Sequence, residues 1–203
     1  MASLQPLIHL IDDDATVLRA LGRLLASAGD RVEAHSSAEA FLQRHDPKIP
    51  GCAIVDLGLP GMDGFGIQDT LAAGIVARPV IFLTGAGDIP SSVKAMKAGA
   101  IDFLTKPVDA AEVLATVDRA LRRDAAAREE HTQREAVLHR LPSLTPRERE
   151  VLEQVVSGRL NKQIAGDLGT AEKTVKVHRG RMMKKMAVRT VADLIRIVTQ
   201  HRT

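Results

Sequence analysis

Through about the first 120 residues, the chain repeats one pattern five times: a short apolar run followed by a segment of helical period. The runs are Leu7 to Ile11, Arg31 to His35, Cys52 to Val55, Pro79 to Leu83 and Ile101 to Leu104; the helical segments cover roughly 15–28, 37–45, 64–73, 90–98 and 109 onward. Ala53-Ile54-Val55 and Val80-Ile81-Phe82-Leu83 are apolar on both faces. Such strands must be covered on both sides, as in a parallel sheet flanked by helices. The pattern therefore predicts an α/β, doubly wound, five-stranded parallel sheet. In sheets of this kind a site forms beyond the carboxyl ends of the strands, where strand order reverses. Helix ends are marked by Gly29 and Gly99 after the first and fourth helices, by Ser36 or Ser37 before the second, and by Asp109 before the fifth.

No glycine or proline interrupts the chain between Asp109 and Leu141, so the fifth helix is expected to continue into a helical linker over 121–142. Leu114, Val117, Leu121, Ala125 and Arg128 keep a heptad-like spacing before the seam turns polar at His131 and Thr132. This leaves two readings, a dimerising coiled coil or a solvated linker helix. After Pro142 the pattern is wholly helical, in four pieces near 146–157, 161–168, 171–187 and 190–200. Thr145, Pro146 and Glu148 form a capping-box signature, while Asn161 and Thr170 are candidate N-caps for the next two helices. The short gap between those two predicts a helix-turn-helix. The chain thus divides into 1–120, a linker over 121–142, and an all-α four-helix domain over 143–203.

The net charge of +3 conceals a split: residues 1–120 carry −5 and residues 121–203 carry +8. The first half is suited to a cation and the second to phosphates. No apolar run reaches the roughly 18 to 20 residues of a membrane span. Met1-Ala2-Ser3-Leu4 leads into the first strand without a basic or cleavage-type segment, so a cytoplasmic protein is expected. The single cysteine, Cys52, lies in an apolar strand and is expected to be buried; a lone cysteine excludes an internal disulfide and a multi-cysteine metal site.

Four features fall at strand ends: Asp12-Asp13, with Asp14, after the first strand; Asp56 after the third; Thr84 after the fourth; and Lys106-Pro107 just past the fifth. Carboxylates brought to one sheet edge repel each other unless a cation intervenes, and oxygen donors of this kind suit Mg²⁺. With an ion and a lysine nearby, a carboxylate becomes a usable nucleophile for phosphoryl transfer. Asp63, in the turn Pro60-Gly61-Met62-Asp63-Gly64, is read as a loop-shaping residue, and His9 as a packed or edge histidine.

Together, Ile11-Asp12-Asp13-Asp14, Val55-Asp56-Leu57-Gly58-Leu59-Pro60-Gly61-Met62-Asp63-Gly64, Thr84-Gly85 and Phe103-Leu104-Thr105-Lys106-Pro107 resemble the receiver domain of two-component response regulators, a flavodoxin-like fold. The resemblance implies that Asp56 is the phosphoacceptor and that Mg²⁺ (or Mn²⁺) is held by Asp13 and Asp56 directly, by Asp12 through water, and by the Gly58 carbonyl. It also implies that Lys106 pairs with the phosphoryl group, that Thr84 and Phe103 form the conformational switch, and that Lys106-Pro107 is cis. The phosphoryl donor would be a sensor histidine kinase, since the chain has no ATP-binding glycine loop.

Leu144 to Leu152, Asn161-Lys162-Gln163-Ile164-Ala165 and Thr174-Val175-Lys176-Val177-His178-Arg179 resemble the LuxR-type helix-turn-helix of FixJ-like and NarL-like regulators. Helical spacing gives a separate test. Val175, Met182 and Met186, with His178 and Arg179 at the margins, suit a core, whereas Lys173, Lys176, Val177, Gly180, Arg181 and Lys184 form the opposite, basic stripe. Lys176, Val177 and Arg181 are the candidates for base edges; Lys162, Lys173, Thr174, Arg179 and Lys184 are the candidates for phosphates. Gly180 departs from the larger polar residue common in the family, so target sequence does not carry over. The last helix presents Val191, Leu194, Ile195 and Val198 for packing and for a possible dimer surface. The reading is a transcription regulator rather than an enzyme, with promoter DNA, RNA polymerase and a second copy of the chain as partners. A phosphatase of the aspartyl-phosphate type would want an aspartate where Gly58 stands. A phosphorylation-independent regulator, using its receiver only to dimerise, would not require the acidic pair, Thr84 and Lys106.

Overall fold

The computed structural model describes residues 5–85 and 89–201, with side chains omitted at 89–91 and at 200–201. The N-terminal Met1-Ala2-Ser3-Leu4 segment lies outside the described residues. Two compact units divide between Glu129 and Glu130.

The first unit alternates strand and helix: β1 (Leu7–Ile11), α1 (Ala15–Ser27), β2 (Arg31–His35), α2 (Ala38–Arg44), β3 (Gly51–Asp56), α3 (Gly64–Ala72), β4 (Val80–Thr84), α4 (Ile89–Lys97), β5 (Asp102–Thr105) and α5 (Ala110–Leu138). All four strand pairings are parallel, in the order β2-β1-β3-β4-β5. Order reverses beside β1 and β3, the strands that end at Asp12 and Asp56. Every residue of β1, β3 and β4 is buried, as runs apolar on both faces require. One face joins Ile8, Leu10, Ile54, Ile81 and Leu83 to Leu21 and Leu25 of α1 and Val113 and Val117 of α5; the other joins Ile11, Val55 and Phe82 to Phe41 of α2 and Ile67 of α3.

Ser37 caps α2 and Asp63 caps α3 by accepting from the Gly66 amide, which fixes the turn after β3. Gly64 is needed at that turn because a Cβ there would meet the Asp56 carbonyl and the Phe82 ring at 2.9 Å. Along α5, Leu114, Val117 and Leu121 pack into the core beneath the sheet. Of these heptad-spaced residues Val117 is buried, Leu114 and Leu121 are half-buried, and Ala125 is exposed. Further along, Asp124 is 1% exposed and accepts from the Gly51 amide and from Arg128 Nε, both at 2.8 Å. Arg128 in turn donates to the carbonyls of Pro47, Lys48 and Ile49, so the α2–β3 loop is tied to the helix.

The second unit contains a 3-10 turn (Leu141–Ser143) and helices α6 (Pro146–Val156), α7 (Asn161–Asp167), α8 (Glu172–Met186) and α9 (Val191–His201). Its core gathers Val137, Val151, Leu152, Val155, Ile164, Val175, Met182, Met186, Leu194, Ile197 and Val198. The capping box at Thr145 and Glu148 forms as the sequence suggests. Two caps do not. Asn161 and Thr170 precede neither helix as N-cap: Leu160 and Ala171 hold those positions, and the Leu160 amide is satisfied by Gln163 Oε1 at 2.9 Å instead. On α9, Ile197 joins Leu194 and Val198 in the core, while Ile195 is only half-buried.

Removing the Asp124 carboxylate leaves the Gly51 amide and Arg128 without their shared buried acceptor. Asp124→Ala should therefore destabilise the first unit by about 3 kcal/mol, measured by denaturant unfolding of the full chain; a loss of under about 0.5 kcal/mol would show the network to be dispensable.

Candidate functional site

The strand ends bring Asp12, Asp56 and Lys106 into contact. Asp12 follows β1, Asp56 closes β3, and the parallel register sets them on adjacent strands, Ile11 beside Val55. Lys106 follows β5, its amide donating to the Thr84 carbonyl at 2.7 Å. Its Nζ lies 2.6 Å from Asp12 Oδ2 and 2.7 Å from Asp56 Oδ1. The two carboxylates are 1% and 6% exposed. Burial pulls the Lys106 ammonium down, but the hydrogen bonds and charges of Asp12 and Asp56 together outweigh it and hold the group above the usual lysine value. The remaining carboxylate oxygens accept backbone amides: Asp12 Oδ1 from Asp14 at 2.9 Å and Asp56 Oδ2 from Gly58 at 2.8 Å.

Asp13 adjoins Asp12 and is exposed. Thr84 is buried at the end of β4. Phe103, half-buried on β5, pairs in register with Phe82, and their rings lie 6.4 Å apart. Lys106-Pro107 is cis. Two buried carboxylates share one ammonium here, with the exposed Asp13 next in the chain; the site keeps an excess of negative charge, and oxygen donors of this kind fit a hard divalent cation.

In the second unit, the predicted division of α8 holds. Val175, Met182 and Met186 are buried, whereas Lys173, Thr174, Lys176, Val177, Gly180, Arg181 and Lys184 are exposed, as is Lys162 on α7. Lys176 pairs loosely with Glu172 one turn earlier, at 3.2 Å. Arg179 is half-buried and donates to Asn161 Oδ1 at 2.7 Å, so it also ties α8 to the start of α7. No atom lies within 4 Å of a Cβ built on Gly180, so the gap it leaves on the stripe is open.

Sequence reasoning missed the ion pair that positions α8. Glu148 is 3% exposed and accepts from Lys185 Nζ at 2.7 Å while closing the capping box. A partner 37 residues away has no signature in spacing. The Lys185 hydrogen bond first, then the Thr145 amide, hold the Glu148 carboxyl down at about 2.

Two family models match the chain: the response regulator receiver domain over residues 8–118 and the bacterial regulatory proteins of the luxR family over residues 142–198. Nodulation protein W of Bradyrhizobium diazoefficiens is 42% identical, the match covering 97% of this chain and 86% of that protein. The transcriptional regulatory protein FixJ of Azorhizobium caulinodans is 42% identical over 94% of this chain and 90% of that one. Among solved structures, the response regulator StyR gives a TM-score of 0.73 at 42% identity, covering 97% of this chain and 99% of the other. Full-length FixJ from B. japonicum gives 0.56 at 34%, covering 96% of each.

A carboxyl with a depressed folded-state value stabilises above its unfolded value and loses that contribution as pH falls through the folded one. The stability difference between the full chain and Glu148→Gln should accordingly be largest above pH 4.5 and vanish as pH approaches about 2; a difference independent of pH in denaturant titrations would refute the ion pair.

Proposed function

Because the chain belongs to the two-component response regulators, with a receiver domain followed by a luxR-family DNA-binding domain, we propose that it accepts a phosphoryl group on Asp56 and converts that event into control of DNA binding. It is a transcription regulator by family. The observation that carries the proposal is the Lys106 ammonium placed between the buried carboxylates of Asp12 and Asp56 at the strand-order reversal.

The Asp56 carboxylate supplies the nucleophile. Its attack on the phosphohistidine of a sensor kinase forms an O–P bond as the N–P bond breaks, and the imidazole leaves with its electron pair. Asp13, Asp56 and the Gly58 carbonyl would hold Mg²⁺ or Mn²⁺, with Asp12 acting through water, and the ion would offset charge on the phosphoryl oxygens. Lys106, already directed at Asp56, then pairs with a phosphoryl oxygen. Thr84 turns its hydroxyl toward the same group, and Phe103 follows inward on the neighbouring strand, a two-state element that a new charge can bias.

The output is the basic stripe of α8. Lys176, Val177 and Arg181 reach base edges in the major groove, while Lys162, Lys173, Thr174, Arg179 and Lys184 hold the phosphate backbone. A single such module reads few bases, so two copies of the chain act together on promoter DNA and present RNA polymerase with a fixed geometry. Among the described residues no helix is long and apolar enough to cross a membrane; we place the protein in the cytoplasm, where kinase and promoter are both accessible.

With acetyl phosphate and Mg²⁺, the full chain should change its affinity for its operator, obtained by selection, at least about tenfold, equivalent to 1.4 kcal/mol. Asp56→Asn should bind with one affinity whether or not the donor is present. Equal responses in both proteins would remove Asp56 from the switch.

A further inference from the structure

Beside the acidic site, on the face of the sheet covered by α2, lies a second cluster that phosphoryl transfer does not use. His9 on β1 stands in register with Glu33 on β2, and His35 is two residues further along β2. His9 is 1% and His35 3% exposed. Their rings meet through His9 Nδ1 and His35 Nε2 at 3.1 Å, and the edge of Phe41 packs against both. Among the described residues, this trio alone brings three candidate ligand atoms of His, Cys, Asp or Glu within 4.8 Å of one another.

The two histidines each turn one ring nitrogen toward the other. Neutral imidazole has one donor and one acceptor. His9 Nδ1 and His35 Nε2, 3.1 Å apart, are the two nitrogens placed to share an ion; the buried His9 Nε2 is the other ring nitrogen and takes no part in that gap. Imidazole binds metals in its neutral form.

We infer that His9, His35 and Glu33 form a binding site for a divalent transition metal ion, Zn²⁺ being the best fit, distinct from the Mg²⁺ site at Asp56. Two imidazoles and one carboxylate are a ligand set for zinc rather than for magnesium. Zn–N bonds of about 2.0 to 2.1 Å at tetrahedral angles separate two ligating nitrogens by about 3.3 Å, close to the gap already present. Three protein ligands leave a fourth position for water. Glu33 is partly exposed and paired with Arg44 at 3.4 Å, but the Arg44 side chain is 73% exposed and the pair is weak enough to yield to an ion. Arg78, the other nearby cation, is committed through Nε to His45 and through Nη2 to the carbonyls of Asp46 and Ile49. The site is one peptide group away from the phosphoacceptor site, since the His35 carbonyl accepts the Asp12 amide at 3.2 Å. An ion here would pin β2 to β1 where β1 presents Asp12.

The test is Zn²⁺ titration of the full chain against a chelating indicator, with Mg²⁺ in large excess to occupy the acidic site. The wild type should bind one tight equivalent and gain thermal stability from it. His35→Gln and Glu33→Gln should each weaken that equivalent at least about tenfold and lose the Zn²⁺-dependent rise in Tm. Should His35→Gln fail to fold, Glu33→Gln, altered at a partly exposed carboxylate, decides the matter alone. Unchanged tight binding in the folded variants, or no tight equivalent in the wild type, would overturn the inference.

Discussion

One lysine between two buried carboxylates organises the receiver half of this molecule. Asp12 and Asp56 are brought together because β1 and β3 are neighbours at the reversal of strand order, and both end on the same edge. Buried like charges in such proximity are unfavourable. The Lys106 ammonium, 2.6 and 2.7 Å from the pair, offsets that repulsion without filling the site. Each carboxylate also accepts a backbone amide, so neither is free to turn away. What remains at the strand ends is a surplus of negative charge, which favours a cation there.

The DNA-binding half uses the same device for a different end. Glu148 closes the first turn of α6 and reaches Lys185 on α8, so α8 is fixed against the bundle by a buried carboxylate as well as by Val175, Met182 and Met186. The opposite side of α8 is left exposed and basic. A rigid helix with an open cationic stripe suits major-groove reading, because phosphate contacts set its register while base contacts confer preference. Gly180, with open space around it, marks the place on that stripe where this chain gives up a side chain.

Much of this was legible in the sequence, for identifiable reasons. Strands apolar on both faces announce a parallel sheet, and once the sheet is parallel, residues at strand ends must share an edge; Asp12, Asp56, Thr84 and Lys106 follow from that rule. Local signatures also read well: Thr145 with Glu148, Asp63 before α3, and the buried Val175, Met182 and Met186 of α8. Less legible were the caps of α7 and α8, displaced by one residue from Asn161 and Thr170, since a side chain able to cap does not guarantee the extended backbone that capping needs. Polar contacts between distant residues away from that shared edge had no signature in the sequence. Asp124 with Gly51, Arg78 with His45, and His9 with His35 join positions 26 to 73 residues apart, and no periodicity encodes them.

Phosphorylation at Asp56 is a claim about a single side chain, and chemistry can locate it directly. An aspartyl phosphate is an acyl phosphate, which borohydride reduces to homoserine. After brief exposure of the full chain to acetyl phosphate and Mg²⁺, reduction and peptide mass spectrometry should find homoserine at position 56 and at no other aspartate. Homoserine at position 12, 13 or 63 with residue 56 unmodified would contradict the account.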